Sequence, residues 1–148
     1  VSAARRAIEI DSGFSFGYHR LGRAYTEKGM YVEAIAALET AVKLSGGSVN
    51  FRGTLGRAYA LAGRRSEARR VLEGLLDLNR HRYAGRTNLA MIHTALGEKT
   101  EALRLLEEGY RVHDANMILL KVLPAWDALR SEPRFQDLLR RMNFPGPR

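Results

Sequence analysis

Sliding the chain against itself by 34 positions brings the same residue types back into register three times. Leu21, Leu55 and Leu89 coincide, as do Gly29, Gly63 and Gly97, the Glu-Ala pairs at 33–34, 67–68 and 101–102, and Leu38, Leu72 and Leu106. Two more registers hold in the first two copies and change in the third, where Ala90 answers Gly22 and Gly56 and His93 answers Tyr25 and Tyr59. A repeat of this length means that one supersecondary unit is used again and again. Each unit is too small to bury its apolar face alone and does so against its neighbours.

Within each copy the apolar residues recur at helical spacing in two runs. Leu21, Ala24 and Tyr25 form the first, and Ala34, Leu38, Ala41 and Val42 the second. A glycine falls between the runs in every copy, where a positive φ ends a helix without strain. The pattern predicts helices over 15–28 and 31–44, 49–62 and 65–78, and 83–96 and 99–112. Gly22 and Ala34 are small where two helices of a hairpin would approach, and Leu38 and Tyr25 fill the space beside them. Surface acids are placed for pairs along a helix, such as Glu107 with Arg111 at i,i+4.

Leu-Gly-x-x-Tyr in the first helix and Ala-x-x-x-Leu in the second, at this period, closely resemble the tetratricopeptide repeat. The match runs through RLGRAYTEKGMYVEAIAALETAVKL and TLGRAYALAGRRSEARRVLEGLLDL, and it is looser in NLAMIHTALGEKTEALRLLEEGY. The proline usual near the end of such a repeat is missing; Gly46, Arg80 and Asp114 stand there, so altered junction angles are expected. The resemblance implies an all-α, right-handed superhelix of tetratricopeptide-type helical hairpins. Repeats are expected over 15–48, 49–82 and 83–116. Residues 1–12 would be the second helix of a preceding repeat, because Ala4, Ala7, Ile8 and Ile10 match Leu38, Ala41, Val42 and Leu44.

Past residue 116 the period dissolves, and 117–148 is expected to form a C-terminal cap over the last open face. Ser131-Glu132-Pro133 reads as a helix start, Phe135, Leu138, Leu139 and Met142 as its apolar stripe, and Pro145-Gly146-Pro147 as its stop. Trp126 is expected to pack this cap against the last hairpin. The stretch LRSEPRFQDLLRRMNFP resembles tails that follow such repeats in bacterial multidomain proteins, some with a winged-helix or kinase domain ahead of them. An opening half-repeat and Val1 in place of Met suggest a piece of something longer.

The 148 residues carry 24 Lys and Arg against 16 Asp and Glu, a net charge of +8, and no Cys. Disulfide and Cys-zinc scaffolds are therefore excluded. No apolar run nears the ~20 residues that cross a bilayer, and a cytoplasmic setting is expected. The excess charge lies in 49–82 (+5) and 121–148 (+3), with 1–48 at +1 and 83–120 at −1. Such a band suits acidic peptides, nucleic acid or anionic lipid, and equally a solvated helix surface. His19, His81, His93 and His113 show no metal-binding spacing, and no nucleophile elbow or phosphate loop is present. Neither cofactor nor catalysis is expected.

In the family resembled, the first helices line a concave face and supply most ligand contacts. The matching positions are Phe16, His19, Arg20, Arg23, Thr26 and Glu27, then Asn50, Gly53, Thr54, Arg57 and Ala60, then Ala84, Thr87, Asn88, Met91 and Thr94. The expected contact set is His19, Arg20, Arg23, Asn50, Arg57, Thr87, Asn88 and Met91. Arg23 and Arg57 sit on equivalent turns of adjacent helices, and guanidinium groups pair bidentately with carboxylates. The partner expected is therefore an acidic peptide or protein. One subclass clamps a double carboxylate with Lys and Asn; His19 and Arg23 replace those residues here and Asn88 sits in the wrong copy, so that clamp is incomplete. The rival readings are nucleic-acid binding through Arg52, Arg57, Arg64, Arg65, Arg69 and Arg70, and self-association through the open N-terminal half-repeat.

Overall fold

The computed structural model describes residues 14–79 and 85–142, and every regular element among them is helical. Six helices come first: α1 (Ser15–Glu27), α2 (Tyr31–Leu44), α3 (Val49–Leu61), α4 (Arg65–Asn79), α5 (Arg86–Ala95) and α6 (Lys99–Arg111). Two 3-10 segments, Ala115–Leu119 and Pro124–Leu129, lead into α7 (Pro133–Arg141). The helix expected over 1–12 and the Pro-Gly-Pro stop lie outside the described residues.

Hairpin geometry follows from the turn glycines. Gly29, Gly63 and Gly97 take φ of 75°, 80° and 82°. In each turn the next residue's N–H reaches back five positions, Met30 to Tyr25, Arg64 to Tyr59 and Glu98 to His93, all at 2.9 Å. This is the left-handed cap that closes a helix and reverses the chain within a few residues. It folds α1 on α2, α3 on α4 and α5 on α6. Where α3 crosses its neighbours, a Cβ at Gly56 would stand 2.8 Å from Ile92 Cγ1 and 3.2 Å from Val71 Cγ1. Only a glycine admits that approach.

The first helices of successive hairpins lie side by side, with α3 touching both α1 and α5. The segment Pro124–Leu129 packs on the other side of α5, and α7 packs on α6. The C-terminal part thus stands where a fourth hairpin would. One core runs from Ile35 and Leu38 through Leu72, Leu89 and Leu106 to Trp126, Leu129, Phe135 and Leu138. Each such large side chain contributes roughly 1.5–3 kcal/mol relative to exposure. The cap is therefore part of the core, and Leu139 and Met142 flank it half-buried.

Two expectations are corrected. The helix predicted over 83–96 begins only at Arg86 in the described structure, because Gly85 at φ 85° precedes it outside helical geometry. Glu107 does not pair along its own helix with Arg111. It is taken by Arg134 of α7, whose Nε lies 3.3 Å from its Oε2, so the pair ties the cap to α6. His93 fills the Tyr register by a different chemistry. Its Nδ1 lies 2.9 Å from Glu98 Oε1, which also accepts from Arg69 at 3.0 Å, joining the second and third hairpins. Arg69 first and His93 next hold the Glu98 carboxyl down at about 2. Among the described residues no helix is long and apolar enough to cross a membrane.

Candidate functional site

Side-by-side packing of α1, α3 and α5 leaves a groove of about 320 Å³ along their exposed turns. All eight residues of the expected contact set line it. Their situations differ, and the difference assigns them different work.

Arg20 and Arg23 are exposed, and no ion-pair partner faces either among the described residues. Arg57 lies deeper, its side chain 14% exposed, and its Nη1 donates to Glu27 Oε1 at 2.7 Å. The groove therefore sets three arginines against one carboxylate, which is itself already engaged. Met91 lies half-buried on the floor, packed against the core.

His19 is held rather than free. Its ring stacks on Phe51 with centroids 4.2 Å apart and planes 15° from parallel. Its Nε2 lies 3.0 Å from Thr54 Oγ1, and the Thr54 hydroxyl donates to the Asn50 carbonyl at 3.1 Å. A hydroxyl has one proton, so Nε2–H must be the donor to Thr54 and Nδ1 carries the lone pair. Burial first, and the Arg23 charge second, push the imidazole down to about 4. The side chain that replaces a clamp lysine is thus neutral at pH 7.

Asn88 and Thr87 are spent on the scaffold. Asn88 is 3% exposed, fits over Gly53, and donates its Nδ2 to Asn50 Oδ1 at 3.0 Å. Asn116 donates to the same oxygen, also at 3.0 Å. With Oδ1 occupied twice, Asn50 has its NH2 left to offer at the exposed surface. Thr87 is 2% exposed, and both its backbone N–H (3.0 Å) and its hydroxyl (3.1 Å) donate to Asp114 Oδ2. Asp114 Oδ1 accepts from the Asn116 N–H at 3.0 Å, so one buried carboxylate caps α5 and the first 3-10 segment together.

Other concave positions turn inward. Thr26 and Thr94 donate to the carbonyls four residues back, at 2.8 Å each, and Ala60 is core. Ala84 lies outside the described residues. The C-terminal segment supplies what helix periodicity missed: Asn116, Leu119, Leu123, Pro124, Ala125 and Trp126 form the wall at the α5 end. Trp126 is 1% exposed, as packing against the last hairpin requires.

Part of the Arg-rich band of the second repeat is compensated by acids. Arg64 pairs with Glu67 at 3.1 Å, Arg69 with Glu98, and Arg65 donates to the Leu96 carbonyl at 3.3 Å. Arg64, Arg65 and Arg69 do not line the groove.

Family models of the tetratricopeptide repeat match residues 25–85 and 84–113, together running from the end of α1 through α6. No curated protein and no solved structure matches the chain.

Proposed function

The chain belongs to the tetratricopeptide repeat family, and from that premise we propose that its groove binds a short acidic segment of a partner protein. Repeats of this family mediate protein–protein interaction, and an all-helical stack of this kind is typically a scaffold without chemistry. The observation that carries the finer reading is the convergence of Arg20, Arg23 and Arg57 on one groove with a single, already paired carboxylate. Beside them the exposed Asn50 has its amide NH2 to offer, so a ligand rich in acceptors fits. The buried Asn88 and Thr87 hold the surface in place before the ligand arrives, which lowers the ordering cost of binding.

A titration with a capped oligoglutamate peptide tests this reading, followed by the emission of Trp126, the one Trp in the chain. Binding is expected to weaken as salt rises and to fall at least tenfold in Arg20→Glu/Arg23→Glu, both positions being exposed and tolerant. Equal affinity in the folded double variant overturns the proposal. An oligouridylate titrated alongside answers the nucleic-acid alternative: binding it more tightly than oligoglutamate would put a polyanion other than an acidic protein in the groove.

A further inference from the structure

The groove changes character along its length. At the α1 and α3 end its walls carry Arg20, Arg23 and Arg57. At the α5 end they carry Met91, Leu119, Leu123, Pro124 and Ala125 beside Asn116, whose amide donates to Asn50, with no charged side chain among them. Leu119 is 37% exposed, and Ile118 and Val122 beside it are 70% and 67% exposed, so apolar surface reaches the rim. A strip of oligoglutamate would leave this end facing charge or water. Resting on the acidic-segment reading above, we infer that the C-terminal wall is a separate apolar subsite. Its occupant is a bulky aliphatic side chain carried by the acidic segment one to three residues from its carboxylates.

Charge complementarity fixes the polarity of the occupant. Carboxylates lie against the arginines, and a side chain, not a charged terminus, meets the wall, because an ion left against Leu119 and Leu123 would lose hydration without a partner. The volume agrees, since about 320 Å³ is at the lower edge of the ~300–1,000 Å³ of small-ligand sites. It admits two or three side chains and no folded element. The wall belongs to the segment after the repeats, so specificity at this end is set by residues outside the repeat pattern.

The test uses end-capped hexapeptides with two Glu residues and a Leu one, two or three positions away, against a control with Gly in place of Leu. The whole chain is titrated at one salt concentration. At least one Leu peptide is expected to bind tenfold or more tightly than the Gly control. Leu123→Ser brings the Leu peptides down to the level of the Gly control, whereas Arg23→Glu weakens Leu and Gly peptides alike. Leu119→Ser, at a more exposed position, gives the same readout where Leu123→Ser fails to fold. Equal binding of the Leu and Gly peptides overturns the subsite while the acidic reading stands. Absence of binding by every peptide removes both. A Gly peptide with a free C-terminus that gains as much as Leu puts a terminus at the wall, and Trp126 emission that shifts with protein concentration alone puts a second copy there; either overturns the inference.

Discussion

Protonating His19 should destabilise this protein's folded state, and the size of the effect follows from its surroundings. The imidazole stacks on Phe51 and donates to Thr54, and its burial first, with the Arg23 charge second, brings it to about 4 from the ordinary 6.5. A His whose folded value is depressed binds a proton more readily when unfolded. Stability is therefore fully present above pH 6.5 and falls as pH drops toward 4, where the loss levels off. A shift of this size corresponds to a ceiling of roughly 3 kcal/mol. The ring is only partly buried, so screening by water reduces the expected loss to about 2 kcal/mol.

Urea unfolding at pH 7.5, 6.0 and 4.5 measures it, with His19→Phe as the reference. Phenylalanine keeps the stack on Phe51 and cannot titrate, and Thr54 keeps its bond to the Asn50 carbonyl. Carboxylates contribute equally to both proteins, so the difference between the two pH profiles isolates His19. The wild type should lose about 2 kcal/mol more than the variant between pH 7.5 and 4.5. An NMR titration should show the His19 ring charging near 4 and its Nε2 protonated at neutral pH. A midpoint at or above 6.5, or parallel pH profiles, refutes the reasoning.

Gly56→Ala drives a methyl toward the fully buried Ile92, and the overpacking cost of about 1–3 kcal/mol outweighs the gain in helix propensity of about 1 kcal/mol. Ile92→Val, which removes Cδ1, should recover part of that loss in a double-mutant cycle read by urea unfolding; strict additivity of the two changes would contradict the contact. Asp114→Ala strips the acceptor from three buried or half-buried donors on Thr87 and Asn116, and should cost about 2–4 kcal/mol. The same variant should shift Trp126 emission in the folded state; an unchanged spectrum and midpoint would show that the carboxylate does not join the cap to α5.

The hairpins were legible because their causes are local and recur. A turn glycine every 34 residues, a small residue at each crossing and a leucine opposite it state the same geometry several times. Gly85 escaped that logic, since periodicity continues through it while its φ does not. The set of groove-lining residues was legible for a related reason: first helices present equivalent turns to one side. What each residue does there was not. Thr87 and Asn88 look like contact residues from their register, and only their side-chain pairings with Asp114 and Asn50, which no period encodes, reveal that they are spent internally. The wall was hidden for the same cause, although Leu119 and Leu123, one helical turn apart and ahead of Pro124, were a faint sign.

Closing the last open face and shaping the groove are a single task in this chain. Asn50 on α3 receives Asn88 from α5 and Asn116 from the C-terminal segment on one oxygen, and Asp114 ties that segment to the start of α5. A cap that merely covered apolar surface would need Phe135, Leu138 and Trp126 but none of these polar bonds. The bonds cost their donors hydration and repay it only if the segment docks in one register. That register is the one that places Leu119 and Leu123 at the end of the groove. Anything bound between the arginines and this wall therefore contacts both the repeats and the cap, and must stabilise their union by its own binding free energy.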